Sequence, residues 1–264
     1  MDIIKEAVLR IDRDSGRRIE EQASQPVPVV PRRFTAGRST QQVLTPEELA
    51  AKRIYHSSMR DERVHDAFTN LRTHVIQRTG NRSCSIVVSA VVAGGGASFV
   101  ALNLAAAFAS DTSGFTVLVD CNFAGSRYRD LGDSESTPGI TDYVDGAATS
   151  IDELLIDVGI ANLRLLGGGT GRSTQREYFT RPRAQKMFAE LASQYEDCTV
   201  VVDAPPALVS ANANVLAKYC DAALLVVPYG RSTQQDARVA IRSLPPGKLI
   251  GSVFNDVPHW HIAG

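Results

Sequence analysis

The sequence predicts an α/β chain, a doubly wound and mostly parallel sheet preceded by a helical N-terminal extension, and three observations carry that prediction. From Gly114 onward, apolar runs of strand length alternate with helical patterns, as they do where crossover helices join parallel strands. A glycine loop, Gly94-Gly95-Gly96, lies between an apolar, β-branched run and a segment of alanines and leucines. Two further apolar runs each end in a carboxylate, Asp120 and Asp203. In open α/β sheets the ligand crevice lies outside the carboxyl ends of the strands, and all of these features fall there.

Taken in order, residues 2–12 put Ile3, Ile4, Ala7, Val8 and Ile11 on one face of a short amphipathic helix. With the charged residues that run on to Glu21, they make up a first segment, 1–24. The prolines of Gln25-Pro-Val-Pro-Val-Val-Pro31 favour extended chain, so 25–44 reads as a linker and 45–264 as the α/β domain. Thr45, Pro46, Glu47 and Glu48 supply an N-cap, a first-turn proline and two acids, which start a helix. Val64, Ala67, Phe68, Leu71 and Val75 recur at helical spacing up to Gly80, and a strand follows at Cys84. Beyond the glycine loop, strands are expected at residues 116–120, 162–166, 199–203, 222–227 and 249–254. Short helices are expected at 140–144 and 151–158, and longer ones at 183–195, with Met187, Phe188 and Leu191 inward, up to Tyr219, and around 237–244.

Composition narrows the function. The 264 residues are 44% hydrophobic, enough for one substantial core. Lys plus Arg (28) nearly balances Asp plus Glu (29), so no net field steers the protein to nucleic acid. Cys84, Cys121, Cys198 and Cys220 are far apart and lie in or beside apolar segments, as reduced, buried thiols do. The first residues lack the basic start and apolar run of a signal peptide, which leads to the expectation of a cytoplasmic protein. The uncharged stretch 84–110 has the length of a membrane span, but three consecutive glycines divide it, so no transmembrane segment is expected. His259 and His261 have no neighbouring Cys or acid and make a poor metal site.

The glycine loop has the outline of a phosphate cradle. Such a loop needs glycines so the backbone can wrap phosphates, a Lys at its end for their charge, and a Ser or Thr next for magnesium. Gly94, Gly95 and Gly96 supply the backbone and Ser98 the hydroxyl, but Ala97 stands at the Lys position, with Phe99 after the Ser. A hydrogen bond to a charged group contributes about 1.5–3 kcal/mol, so this loss weakens a nucleotide roughly ten- to a hundredfold. Chemistry suffers more, because phosphoryl transfer depends on cations that neutralise developing charge. An acid that ends an apolar strand after such a loop is placed for magnesium, a role open to Asp203 and Asp120 together with Ser98.

From about residue 45 to 256 the chain resembles the bacterial tyrosine kinase domains of exopolysaccharide and capsule synthesis, members of the MinD- and ParA-like deviant-Walker P-loop ATPases. The motifs that carry the likeness are Asp66-Ala-Phe-Thr-Asn-Leu-Arg-Thr-His74, Ser89 to Phe99 at Walker A, Val117-Leu-Val-Asp-Cys-Asn122 at a second acidic motif, and Val200-Val-Val-Asp-Ala-Pro-Pro206 at Walker B. The resemblance implies a nucleotide site over Gly94–Phe99 and an interaction helix that includes Phe68, Leu71 and Arg72. The departures weaken catalysis. Ala97 and Val92 replace both phosphate-contacting lysines. Asn122 replaces the second acid and cannot serve as a general base. No tyrosine follows Tyr229, so the family's tyrosine-rich tail is absent from this sequence. Arg127, Arg129 and Arg172 are the candidates for a substitute cation.

The resemblance therefore implies a kinase-like partner or regulator of a membrane polysaccharide co-polymerase in exopolysaccharide, capsule or adhesin synthesis, with no catalytic residue assigned. Its expected ligand is none, or weakly held ATP or ADP with Mg2+. The alternative is an active ATPase or tyrosine autokinase with a substitute cation. A related kinase is a second expected partner, and homo-oligomers are compatible with the resemblance. A DNA-binding positioning protein is disfavoured by the balanced charge.

Overall fold

A computed structural model describes residues 44–56, 59, 61–80, 83–111, 114–171, 178–193 and 197–258. The predicted helix of 2–12, the linker up to residue 43, Arg172 and the His259/His261 tip lie outside these residues. The elements in order are α1 (Pro46–Ala51), α2 (Glu62–Thr79), β1 (Ser85–Ala90), α3 (Ala97–Ala109), β2 (Phe115–Asp120), α4 (Ile140–Asp145), β3 (Leu155–Asp157), β4 (Leu163–Leu166), α5 (Pro182–Ser193), β5 (Cys198–Asp203), α6 (Asn212–Tyr219), β6 (Ala222–Pro228), α7 (Gln234–Ser243) and β7 (Leu249–Asn255). Among the described residues they form one seven-stranded sheet in the order β3-β4-β2-β5-β1-β6-β7, parallel except at β3.

The central strands are near-continuous apolar runs because helices cover both faces of the sheet. Alternation within β1 divides the core: Ile86, Val88 and Ala90 pack with α2 and α3, while Val87 faces the opposite side with Val117, Val119, Val200, Val202 and the residues of α4 to α6. Helix α3 is apolar apart from Ser98 and Asn103 and correspondingly buried, from Val100 through Ala109 with one half-buried gap at Leu102. Its alanines let it lie close on the sheet. The four cysteines are free and buried, and burial pushes the Cys198 and Cys220 thiols up to about 12.

Local sequence sets the element ends. Thr45 and Glu48 exchange hydrogen bonds at the start of α1, and Thr233 and Asp236 do so at the start of α7, each a capping box. Asp61 caps α2, and Gly80 ends it in the left-handed conformation with φ of 71°.

One expectation is corrected. Residues 151–158 are not a helix but a single 3-10 turn, Asp152–Leu154, followed by β3, which pairs antiparallel with β4 at the sheet edge. Leu155 faces one core layer while Ile156 and Val158 pack toward the other, which is the period of a strand. Asp157 pairs with Arg164 of β4 at 3.2 Å. No helix among the described residues is long and apolar enough to cross a membrane.

Candidate functional site

The glycine loop emerges where the sheet register brings several chain segments together. Chain leaving β1 at Ala90 is held by Val91 N–H donating to Val226 O, and it turns through Gly94 and Gly96, with φ of 69° and 94°, values a side chain would strain. Gly96 makes no side-chain cap to α3, so the helix opens on first-turn N–H groups and a positive dipole end, which suit an anion. Ala97 is the first helical residue and only 7% exposed. The loop's Lys position is therefore a buried methyl. Ser89 Oγ donates to Pro205 O at 2.8 Å and Ala207 N–H to Ala90 O at 2.8 Å, which fastens the segment after β5 to the strand before the loop.

The two carboxylates meet at the strand ends. Asp120 and Asp203 are register partners at the ends of β2 and β5, and both are fully buried. Asp120 accepts from Asn122 N–H at 3.0 Å. Asp203 Oδ2 accepts from the Tyr128 hydroxyl at 2.9 Å, while Asp203 Oδ1 has no hydrogen-bond partner among the described residues. Burial, and then the neighbouring Asp120, push the Asp203 carboxyl up to about 8, against the opposing pull of the Ser98 and Tyr128 hydroxyls. Buried like charges with an unmatched oxygen are what a hard divalent cation relieves, so Ser98, Asp120 and Asp203 fit magnesium as a donor set.

Sequence reading missed three residues here. Tyr128 is 1% exposed, and its hydroxyl also lies 3.3 Å from Ser98 O. Burial and the two carboxylates raise its pKa, so it stays a neutral donor. Arg231, in the turn after β6, donates from Nη2 to Gly94 O at 2.7 Å and Ala93 O at 3.2 Å. Asn255, the last residue of β7, donates from Nδ2 to Gly95 O at 3.2 Å. Of the cation candidates taken from sequence, the two among the described residues are both exposed. Arg127 is exposed, and Arg129 reaches Glu135 at 2.9 Å with 70% of its side chain exposed. Phe99 is 37% exposed and stands edge-to-face with Phe68, ring centroids 5.9 Å apart. Arg72 Nη1 donates to Ala107 O at 2.8 Å, and Leu71 packs half-buried on the same core, so these residues of α2 contact α3 and the core of their own domain.

No known family profile matches the chain. Over 196 residues, 72% of this chain, it is 30% identical to EpsB of Ralstonia solanacearum, a protein assigned to the tyrosine-protein kinases, of which it spans 25%. Over 212 residues, 79% of this chain, it is 27% identical to the tyrosine-protein kinase CpsD of Streptococcus pneumoniae, of which it spans 89%. Its relatives are bacterial tyrosine-protein kinases. The kinase domain of the Escherichia coli tyrosine kinase ETK superposes with a TM-score of 0.67 at 20% identity, covering 80% of this chain and 87% of that domain. A ParA family ATPase from Chlorobium tepidum superposes at 0.51 with 16% identity, covering 66% and 74%. The fold of this kinase relative is thus that of the P-loop ATPases. Its glycine loop ends in the buried methyl of Ala97, and the Tyr128 hydroxyl donates to Asp203.

Proposed function

We propose that this kinase relative acts as a kinase-like partner in bacterial exopolysaccharide, capsule or adhesin synthesis, through binding rather than phosphoryl transfer. One observation carries the reading: the loop ends in the buried methyl of Ala97, 7% exposed, where transfer needs a cation. The backbone of Gly94–Gly96 and the start of α3 are suited to hold the phosphates of a nucleotide, with Ser98, Asp120 and Asp203 around magnesium. Magnesium there would neutralise phosphate charge. Asn122 supplies no base, and Tyr128 holds the Asp203 oxygen that a metal would otherwise share. The partner chemistry that fits the relatives is a membrane polysaccharide co-polymerase or an active kinase of the same system.

A second reading, an active tyrosine autokinase with a substitute cation, is favoured by the Arg231 guanidinium on the loop. One assay separates the two: ATP turnover and phosphotyrosine formation by the purified protein and by Asp203→Ala. The expected result is no turnover by the wild type above the variant. Turnover abolished by Asp203→Ala would establish the second reading instead.

A further inference from the structure

We propose that Arg231 is the cation that holds the polyphosphate of a bound nucleotide at this loop, in place of the lysine that Ala97 lacks. The inference rests on the reading of Gly94–Ser98 as a phosphate cradle. The loop has no charge of its own from Val91 to Val100, yet a guanidinium lies directly on it, with Arg231 Nη2 2.7 Å from Gly94 O and 3.2 Å from Ala93 O. A Cβ at Gly94 would stand 2.8 Å from Nη2, so a side chain there would push the guanidinium aside.

Two features of the fold put the guanidinium there. Strand β6 pairs with β1, with Ala90 opposite Val226, so the end of β6 emerges beside the start of the loop. The turn through Gly230, φ of 67°, then folds back to the capped start of α7 at Thr233. Arg231 is the charged residue of this turn. Its side chain is 49% exposed, and its remaining charged neighbour, Asp256, lies 3.9 Å from Nη1 across an exposed pair, an interaction of small worth. A guanidinium spreads its donors in a planar fork that matches phosphate oxygens, and it remains charged at every working pH. Held by Nη2 to the lip of the loop, it is positioned beforehand, so little side-chain entropy is lost when phosphate arrives.

The competing role is that of a staple between the β6–α7 turn and the loop. The two roles differ in what they respond to. A staple affects the folded domain whatever ligand is present, whereas a phosphate contact scales with the number of phosphates. The test is a calorimetric titration of the full chain with ATP, ADP and AMP plus magnesium, for the wild type, Arg231→Ala, Arg231→Lys and Ala97→Lys, beside melting curves without nucleotide. Arg231→Ala is expected to weaken ATP and ADP about ten- to a hundredfold, to leave AMP nearly unchanged and to keep the nucleotide-free melting point. Arg231→Lys should recover part of the loss, and Ala97→Lys in the Arg231→Ala background should compensate.

Equal ATP affinity in the wild type and Arg231→Ala would overturn the inference. So would a loss shared equally by ATP and AMP with a lowered melting point, which marks a staple. Binding by Ala97→Lys alone, with none by the wild type, would overturn the role of Arg231 while leaving the cradle reading intact. No binding by any of these proteins would overturn both.

Discussion

Tyr128 stands between Arg127 and Arg129, and of the three only the tyrosine is buried. Sequence reading fastened on the two arginines, because charge is the visible feature of a phosphate site. It had no means of seeing the tyrosine, since short 3-10 turns have no period from which to tell which neighbour points inward. The carboxylates and glycines were legible for the opposite reason, because strand ends and helix starts are fixed by apolar runs that can be counted. The Tyr128 hydroxyl is the donor that Asp203 Oδ2 accepts. Tyr128→Phe deletes it and leaves a buried carboxyl oxygen unmatched, at a cost of about 1–3 kcal/mol. For a chain of this size the melting point should fall by about 2–4 °C per kcal/mol, read by calorimetry without metal. The same variant should gain more melting temperature from added magnesium than the wild type does. An unchanged melting point would show that the hydroxyl does not support Asp203.

Among the elements, α4 shows how a short helix is held where a neighbouring loop must be exact. Asp142 in its first turn accepts from Gly139 N–H at 2.8 Å, Thr170 N–H at 3.0 Å and the Thr170 hydroxyl at 2.6 Å, tying α4 to the Gly167–Gly169 turn. Burial pulls its carboxyl upward, but those hydrogen bonds prevail and hold it below the ordinary carboxylate value. A depressed native value means that the unfolded chain binds the proton more readily. The stability that Asp142 contributes is therefore present above the ordinary carboxylate range and is lost as pH falls through its lowered native value. Asp142→Asn should lower stability near pH 7 by about 1 kcal/mol, and the gap should close as the solution is acidified below the carboxylate range. Denaturant melts at several pH values read this, and a gap independent of pH would refute it. The neighbouring edge was misread for a definable reason. Ile151, Leu154, Leu155 and Val158 recur at the offsets of a helix, and eight residues are too few for periodicity to separate that from a buried edge strand. Pairing with β4 decided it.

For the whole molecule, the strand order does what no local pattern reveals. Gly94 and Gly95 meet Arg231 and Asn255, and Ser98 and Asp203 meet Tyr128 beside Asp120, at one end of the sheet because β1 lies between β5 and β6. Arg231 lies well over a hundred residues from Gly94 in sequence, and a lone Gly-Arg after a strand gives no sign of where it will arrive. The balanced charge, 28 basic against 29 acidic residues, supplies no net field that would draw in a duplex. Duplex DNA should therefore not be retained in gel-shift titrations at low salt, and retention that weakens steeply between 50 and 200 mM salt, the range over which phosphate contacts lose about 10³–10⁵ in affinity, would contradict this.

The polarity of the sheet also governs how the domain can be tethered. Leu44 N–H donates to Gly159 O at 2.8 Å, and Gly159 lies in the turn from β3 into β4, at the amino ends of the parallel strands. The first described residue of this domain thus lies at the pole opposite the glycine loop. A support that held the domain at Leu44 would grip it by its back, with the loop on the far side.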